Sequence, residues 1–437
     1  MTNVADAVAR RTACASLPAH SDKTRRATVE FAVLLVASVL IATSDIPGRY
    51  HILGQSGTAA ISIAMAVVLT LSVLARLRHD SVACSVVWPF VLLLGWAVLR
   101  TVGAGIFSAG VQNLTVLAVF VFGFLVATRE AFDRPRRAAS VVVWLQRASS
   151  VLAGAYLLSV VVGGMGASTL AGARSVGLCG VVGAACIIGS RDRGARGTSR
   201  AALGLVTLAV VASLSRTAVV AILILMCIAA GVRRVDTGQR GFRTLRSAAL
   251  AVALIVIVLV LVARVPAFQD RVFAGDASLK VGSTTIGTSG RTEFWSATLE
   301  SAKHSLLIGH GAGSAELLIQ RRFPGVDHPH NDYLRLLHDY GLVGLGLWLA
   351  GLWNVVRVVR AWRRNAACPA EDRRICLSAL LALVGIAIVM ITDNVVVYVF
   401  IMAPVAALVG TAVGLSLRGL RLQELMTTSV SERSGAA

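Results

Sequence analysis

The chain has 437 residues, of which 56% are hydrophobic and 15% are charged, and its formal net charge is +20. Soluble domains usually contain about a quarter charged residues, so this composition excludes a soluble protein and predicts a polytopic membrane protein. The basic residues lie in short clusters between apolar runs, as they do where charge sets membrane topology. We therefore do not interpret the net charge as a nucleic-acid-binding surface.

The N-terminal segment, residues 1–27, is polar and basic. It has no short apolar core followed by a small-residue cleavage site, so we expect a cytoplasmic tail and not a cleaved signal peptide. The seven cysteines of the chain show neither metal-ligand spacing nor a disulfide framework.

Apolar runs of about the length that crosses a bilayer predict twelve transmembrane helices. They lie near 28–44, 58–75, 82–99, 108–127, 141–163, 176–190, 201–214, 217–232, 247–263, 342–356, 375–391 and 395–415. We therefore expect an all-α integral membrane fold. Nine helices fall within 28–263 and three within 342–417. A long extracytoplasmic loop at 264–341 separates them, and a cytoplasmic tail follows at 418–437.

The positive charge alternates along these segments. With the N-terminus inside, the predicted cytoplasmic segments carry 29 Lys and Arg residues and the outer segments carry 12, of which eight lie in the long loop. This pattern predicts that both termini face the cytoplasm. It also predicts that the apolar stretch 201–232 is a hairpin, because one long helix would place two arginine-rich segments on opposite sides. Arg216 then lies at the outer turn, on the same side as the long loop.

Three short helices are expected in the long loop. An amphipathic helix from about Arg291 to Ser301 would carry Phe294, Trp295, Thr298 and Leu299 on one face. After a glycine turn at 309–313, a second helix would run from Ser314, as N-cap, to Arg322. A third would begin near Asn331 or Asp332 and end near Tyr340, with Gly341 as its stop. His330 would then lie at a helix N-terminus, which favours an anion.

The polar residues of the outer side allow several interpretations. Arg216 and Arg174 could be interfacial arginines. Arg291, a cation in a first helical turn, opposes the helix dipole, and a negatively charged ligand would remove that conflict. His328 and His330, with Asp327 and Asp332 beside them, could form a metal site or a pH sensor. Five of the eight histidines lie in this loop, and His338 is the one that we expect to be structural.

One type of reaction fits these parts. Arginines would hold a diphosphate bidentately and stabilise its departure, while an imidazole near its ordinary pKa deprotonates an incoming hydroxyl. Glycosyl transfer from a polyprenyl diphosphate has those requirements, and the lipid tail explains why the catalyst lies in a membrane.

The motifs themselves resemble those of the O-antigen ligase and polymerase family. The segments that carry the resemblance are Ser213-Leu214-Ser215-Arg216-Thr217, Gly290-Arg291-Thr292 through Trp295, Gly309-His310-Gly311-Ala312-Gly313, and His330-Asn331-Asp332-Tyr333-Leu334 running into Gly341-Leu342-Val343-Gly344. They cover about 201–356. The resemblance implies a twelve-helix fold of the integral-membrane glycosyltransferase type and metal-independent transfer without a cofactor. It also implies an undecaprenyl-diphosphate-linked glycan as donor and an outer-face site in the bacterial plasma membrane.

The resemblance also assigns roles to residues of this chain. Arg216 and Arg291 would bind the diphosphate and His330 would be the base, which makes these three the catalytic candidates. The substrate-binding candidates are Arg174, His328, Asn331 and Asp332. The family's Pro-Asn pair is missing after Arg174, where the sequence runs Val176-Gly177-Leu178. The family contains ligases, polymerases and protein-glycosylating relatives, so the acceptor stays open between them.

Two other functions fit the same composition. A transporter would also have twelve spans, but the two halves show no repeat, and Glu30 and Asp393 both fall near span ends and not at mid-membrane. An outer-face metal or pH sensor would use the histidine cluster.

Overall fold

In the computed structural model, the described residues are 51–52, 55–76, 84–190, 196–237, 278–281, 284–287 and 290–434. Two of the twelve predicted spans, 28–44 and 247–263, lie outside this part of the chain, as does the predicted N-terminal tail.

The described part contains twelve α-helices and two small antiparallel hairpins. The helices are α1 Gly57–Arg76, α2 Cys84–Gly103, α3 Phe107–Asp133, α4 Pro135–Gly163, α5 Ala173–Ser190, α6 Arg196–Ala212, α7 Arg216–Thr237, α8 Arg291–Ala302, α9 Ser314–Arg322, α10 Asp332–Arg364, α11 Ala370–Val389 and α12 Val399–Ser434. The hairpins pair β1 His51–Ile52 with β2 Gln55–Ser56, and β3 Ser278–Val281 with β4 Thr284–Gly287.

The helices agree with the apolar runs. Each of the ten predicted spans within the described residues coincides with a helix. Among the described helices, six are long and apolar enough to cross a membrane, and three apolar helices are shorter, at Ala60–Leu74, Ser199–Ala212 and Arg216–Val232. A helical protein with six candidate membrane spans is thereby confirmed, and the number of twelve crossings stays a prediction.

Two helices form the centre of the bundle. α12 packs against α3 through Gly410 and Gly414, four residues apart, where an added Cβ would lie 2.6 Å from Phe124 O and 2.1 Å from Thr128 O. Small residues at this spacing let membrane helices approach closely. α5 uses the same device toward α4, α6 and α11, through Gly183, Gly180 and Gly189, and every residue from 176 to 189 is buried. α5 and α12 thereby hold their neighbouring helices at fixed positions, and the candidate site lies where those helices end.

The short helices of the long loop lie where the sequence predicted them, but their caps and buried faces differ from the prediction. α8 and α9 occur where they were expected, and α10 has non-helical dihedrals at Gly341 (φ 70°, ψ −170°), which interrupts it there. The N-cap of α9 was predicted wrongly: it is Gly313, and Ser314 is the first helical residue. α8 buries Phe294, Ala297, Thr298 and Ala302, whereas Leu299 is exposed.

Candidate active site

Five helix ends and the loop helices meet at one end of the bundle. The starts of α5, α7, α10 and α12 lie there beside the end of α11, because Arg174, His330 and Asp393 contact one another and Thr217 hydrogen-bonds Thr392 through their hydroxyls. All the charged side chains that are buried in the described part of the chain lie at this end; they are Asp332, Arg335, Asp339 and Asp393, together with His338. Buried charge in a membrane protein marks a functional region.

His330 is the centre of a polar cluster. Its Nδ1 lies 2.7 Å from Arg174 Nη2 and 3.1 Å from Asn394 Nδ2. Arg174 also forms an ion pair with Asp393 (Nη2 to Oδ1, 2.8 Å) and donates to the Tyr398 hydroxyl at 3.3 Å. The guanidinium lies over the Tyr398 ring, 5.9 Å from its centroid. Residues far apart in the chain thus converge on one imidazole.

The backbone holds His330 in an unusual conformation. Its φ is 54°, in the left-handed region, and the Trp295 indole donates to its carbonyl at 3.4 Å. Asn331 follows as the N-cap of α10, where its side chain accepts from Leu334 N at 3.0 Å. The left-handed residue turns the chain sharply before the helix, and this turn aims the imidazole back toward α5. Strained residues of this kind occur preferentially at functional sites.

Asp332 and Asn331 hold the loop in place. Asp332 Oδ2 accepts from the backbone N–H groups of Val395 and Val396, the latter at 3.1 Å, and the Asp332 N–H donates to Met390 O. Both side chains are buried. Their contacts join the start of α10 to the segment between α11 and α12, and binding of substrate by these two residues stays a prediction.

His328 is held in a second cluster beside the first. Its Nδ1 lies 2.9 Å from Arg335 Nη2, and Arg335 is 3.5 Å from Glu316 of α9. The Nε and Nη1 atoms of Arg335 are buried without a hydrogen-bond partner in the described part of the chain. Arg335 also lines a small cavity between α3 and α10, together with Asn113 and Trp348.

Arg291 and Arg216 are each the first residue of a helix. Arg291 opens α8 after Gly290, and its charge is one of those that act on His330. Arg216 opens α7 after Leu214, which has a φ of 58°. The neighbouring Thr217 contacts Thr392, so the start of α7 lies beside Asp393. The structure thus brings the backbone of Arg216 to the cluster that holds Arg174 and His330.

Burial and positive charge keep both imidazoles neutral. Burial is the largest cause that lowers the pKa of His330, to about 3, and the charges of Arg174, Arg291 and Arg335 lower it further. Burial likewise lowers the pKa of His328 to about 2, with Arg335, Arg174 and His330 adding to it. A neutral imidazole near several arginines suits a site that receives a strongly anionic ligand. In the described residues, no three or more His, Cys, Asp or Glu side chains are grouped to hold a metal ion.

Four residues of these clusters were not identified as site residues from the sequence: Arg335, Asp393, Asn394 and Tyr398. One signal was present, because Asp393 is the single charged residue between 375 and 415. A lone carboxylate near the end of a predicted span needs a cationic partner, and Arg174 is the single charge of the loop at 164–175, which the charge pattern predicts to lie on the same side. Sequence spacing does not pair two residues that are 219 positions apart.

The comparisons with known proteins bear on the same segment. A search of curated proteins found no match to the chain. A scan against protein-family models matched residues 201–349 to the O-antigen ligase family. That segment contains Arg216, Arg291 and His330, together with His328 and Arg335 of the second cluster. Over residues 201–349 the match confirms what the motifs suggested, a resemblance to the O-antigen ligase and polymerase family.

Proposed function

We propose that this protein is a membrane glycosyltransferase that moves a glycan from an undecaprenyl-diphosphate donor to an acceptor hydroxyl at the outer face of the membrane. The observation that carries the proposal is the cationic cluster around His330, in a chain whose 201–349 segment matches the O-antigen ligase family. The family match indicates a ligase or polymerase of surface glycans, and the donor and the sidedness are the further steps that we propose.

The cluster has the chemistry that a diphosphate leaving group requires. Arg291 and Arg216 are proposed to hold the phosphates, since a guanidinium fork matches phosphate oxygens bidentately. Arg174 forms an ion pair with Asp393, whose Oδ1 lies 2.8 Å from its Nη2, and it contacts His330 Nδ1. We assign it to holding His330 in place at the edge of the substrate, and this contact with the imidazole is its contribution to the substrate site.

The position of the cluster fits a lipid-linked donor. Its residues come from the ends of helices in the bundle, so a diphosphate headgroup can reach them while its polyprenyl tail stays in the bilayer. The same ends belong to segments that the charge distribution places outside. A transporter would be expected to have buried charge near the midplane, whereas the buried charges of the described residues gather at one end of the bundle.

The test is turnover of an undecaprenyl-diphosphate-linked oligosaccharide offered with mixed glycan acceptors. We expect wild type to consume the donor, and Arg291→Ala and Arg216→Ala to lose about 10²–10³-fold in rate, as removal of one charge-stabilising group does. Arg321→Ala is the control, because Arg321 is exposed on α9 of the same loop.

Each variant must elute as wild type does in size-exclusion chromatography. Unchanged turnover in Arg291→Ala and Arg216→Ala, or an equal loss in Arg321→Ala, would contradict the proposed site. Wild type that consumes none of the donors would contradict the proposed reaction.

A further inference from the structure

Both histidines of the clusters present the same nitrogen to an arginine. Arg174 Nη2 lies 2.7 Å from His330 Nδ1, and Arg335 Nη2 lies 2.9 Å from His328 Nδ1. A guanidinium has five N–H donors and no acceptor, and it stays protonated in proteins. Each Nδ1 must therefore accept the hydrogen bond through its lone pair, and it carries no proton itself.

His330 Nδ1 receives a second donor as well. The amide nitrogen of Asn394 is 3.1 Å away, so two donors from different elements, α5 and the segment after α11, meet at one lone pair. The proton of the neutral ring then lies on Nε2. This nitrogen has no hydrogen-bond partner among the described residues, and it is not one of their buried unpaired atoms. With 19% of the side chain exposed, the Nε2–H edge is the one that a substrate can reach.

We propose that Arg174 and Asn394 are positioning residues that fix His330 as the Nε2–H tautomer, so that His330 meets the substrate as a hydrogen-bond donor and not as the general base. This inference rests on the proposed glycosyl transfer and replaces the base role that the family resemblance implies. The ring keeps no free lone pair for the acceptor proton, because one nitrogen is occupied by Arg174 and the other is protonated.

The surrounding charges oppose protonation of the ring. The titratable and charged groups around His330 are Arg174 on α5, Arg291 on α8, His328 before α10, Asp332 and Arg335 on α10, and Asp393 and Tyr398 between α11 and α12. Asp393 Oδ1 is 4.0 Å from Nδ1 but only 2.8 Å from Arg174, which stands between them. A general base works best with a pKa near the working pH, and the pKa of His330 lies far below that pH.

The glycosyl transfer can then proceed without a general base from the protein. The acceptor oxygen forms a bond to the anomeric carbon, and the bond from that carbon to the diphosphate oxygen breaks, with its electron pair moving to the diphosphate. Arg291, Arg216 and the Nε2–H of His330 stabilise the charge that develops there, as a neutral imidazole held below its ordinary pKa can do. The hydroxyl proton passes to a non-bridging oxygen of the departing diphosphate.

Three substitutions at one position separate the two roles of His330. In His330→Gln the amide N–H reaches about as far as Nε2 does, in His330→Asn it reaches only about as far as Nδ1, and in His330→Ala it is absent. A donor role predicts that His330→Gln stays within about tenfold of wild type. The other two variants should lose about 10²–10³-fold. An amide cannot take up a proton, so a His330→Gln variant as inactive as His330→Ala would overturn the proposal.

The tautomer is measured directly by NMR on protein labelled with ¹⁵N-histidine, without turnover. We expect the Nδ1 of His330, assigned by its loss in His330→Gln, to give the resonance of an unprotonated nitrogen at pH 7. With the guanidinium removed by Arg174→Ala, Asn394→Asp leaves only a carboxylate acceptor at Nδ1, so the double variant should move the proton to Nδ1 and slow transfer. A protonated Nδ1 in wild type, or a tautomer that the double variant does not change, would overturn the inference. Wild type with the expected tautomer and no glycan transfer would instead overturn the proposed function.

Discussion

The histidines of the loop differ in what surrounds them, and this decides what each can do. His304 is exposed. His338 is buried, with Ser301 and Ser314 hydroxyls at its two ring nitrogens, and it stacks on His310 with ring centroids 4.6 Å apart. His328 and His330 instead face arginines. His338 and His310 support the loop, as the sequence suggested for His338. His328 and His330 form the edge of the site.

The depressed pKa values of His328 and His330 predict acid sensitivity of the folded protein. Between the unfolded pKa near 6.5 and their folded values, about 2 and about 3, the unfolded chain binds protons that the folded protein does not. Stability is therefore lost as the pH falls below about 6.5. By pH 5 each histidine contributes a loss of about 2 kcal/mol in the free energy of unfolding.

Thermal unfolding in detergent at pH 7.5 and pH 5 checks this. We expect the Tm of wild type to fall between the two, and the fall to be smaller in His328→Gln, which has no imidazole to protonate. His304→Gln serves as the control, because an exposed histidine should leave the difference as it is in wild type. An equal fall in Tm in wild type and His328→Gln would contradict the depressed pKa of His328.

Among the secondary-structure elements, α9 is held by a residue of another helix. Its N-cap, Gly313, has no side chain, and Asp339 of α10 accepts instead from Gly313 N at 3.1 Å and Ala315 N at 2.8 Å. The Ser314 hydroxyl donates to the same carboxylate. A carboxylate at a helix N-terminus satisfies free N–H groups and complements the dipole. The glycine turn and α9 are thereby fixed to the helix that begins at the site.

Gly341 allows the long loop to pass close to α10. Its φ of 70° favours glycine, and an added Cβ would lie 2.2 Å from Leu307 O. Gly341→Ala should therefore separate the 305–309 segment from α10 and abolish transfer, with a loss of folded yield. Gly346→Ala is the matched control, since Gly346 lies in the same helix with open space around it. Comparable yield and activity in the two variants would contradict this role.

Across the whole molecule, the site is assembled where the bundle ends. Its residues come from α5, α7, α8 and α10 and from the segment between α11 and α12, and the close packing of α5 and α12 sets the mutual position of those ends. Small residues at helix contacts leave little room for sliding. A rigid bundle with the polar cluster at one end suits an enzyme that receives a lipid-linked substrate from the side.

One prediction for the whole molecule concerns the side of the membrane that the long loop faces. The charge distribution places the loop outside and the C-terminal tail inside. In a cysteine-free variant that retains transfer, Arg322→Cys should react with a membrane-impermeant maleimide in intact cells, because Arg322 is exposed on α9. Arg421→Cys should react only after permeabilisation, because Arg421 is exposed on the C-terminal half of α12. The reverse pattern would overturn the outer-face assignment.

Much of the architecture was predictable because its causes are local. Apolar length marks the helices, and glycine with flanking polar residues marks the ends of α8, α9 and the first part of α10. Errors arose where a distant residue replaced the local one. Ser314 has the chemistry of an N-cap, but Asp339 supplies the acceptor, which frees the Ser314 hydroxyl to bond the α10 side chains.

The sequence alone determined a helical membrane protein, the loop that carries the motifs, and Arg216, Arg291 and His330 as candidates within it. The tertiary structure decided which atoms meet at His330. Arg174 is 156 residues from it and Asn394 is 64, and their contact with Nδ1 follows from the packing of helix ends. Residue type gives an imidazole two possible tautomers, and only the neighbours that folding brings to each nitrogen select one of them.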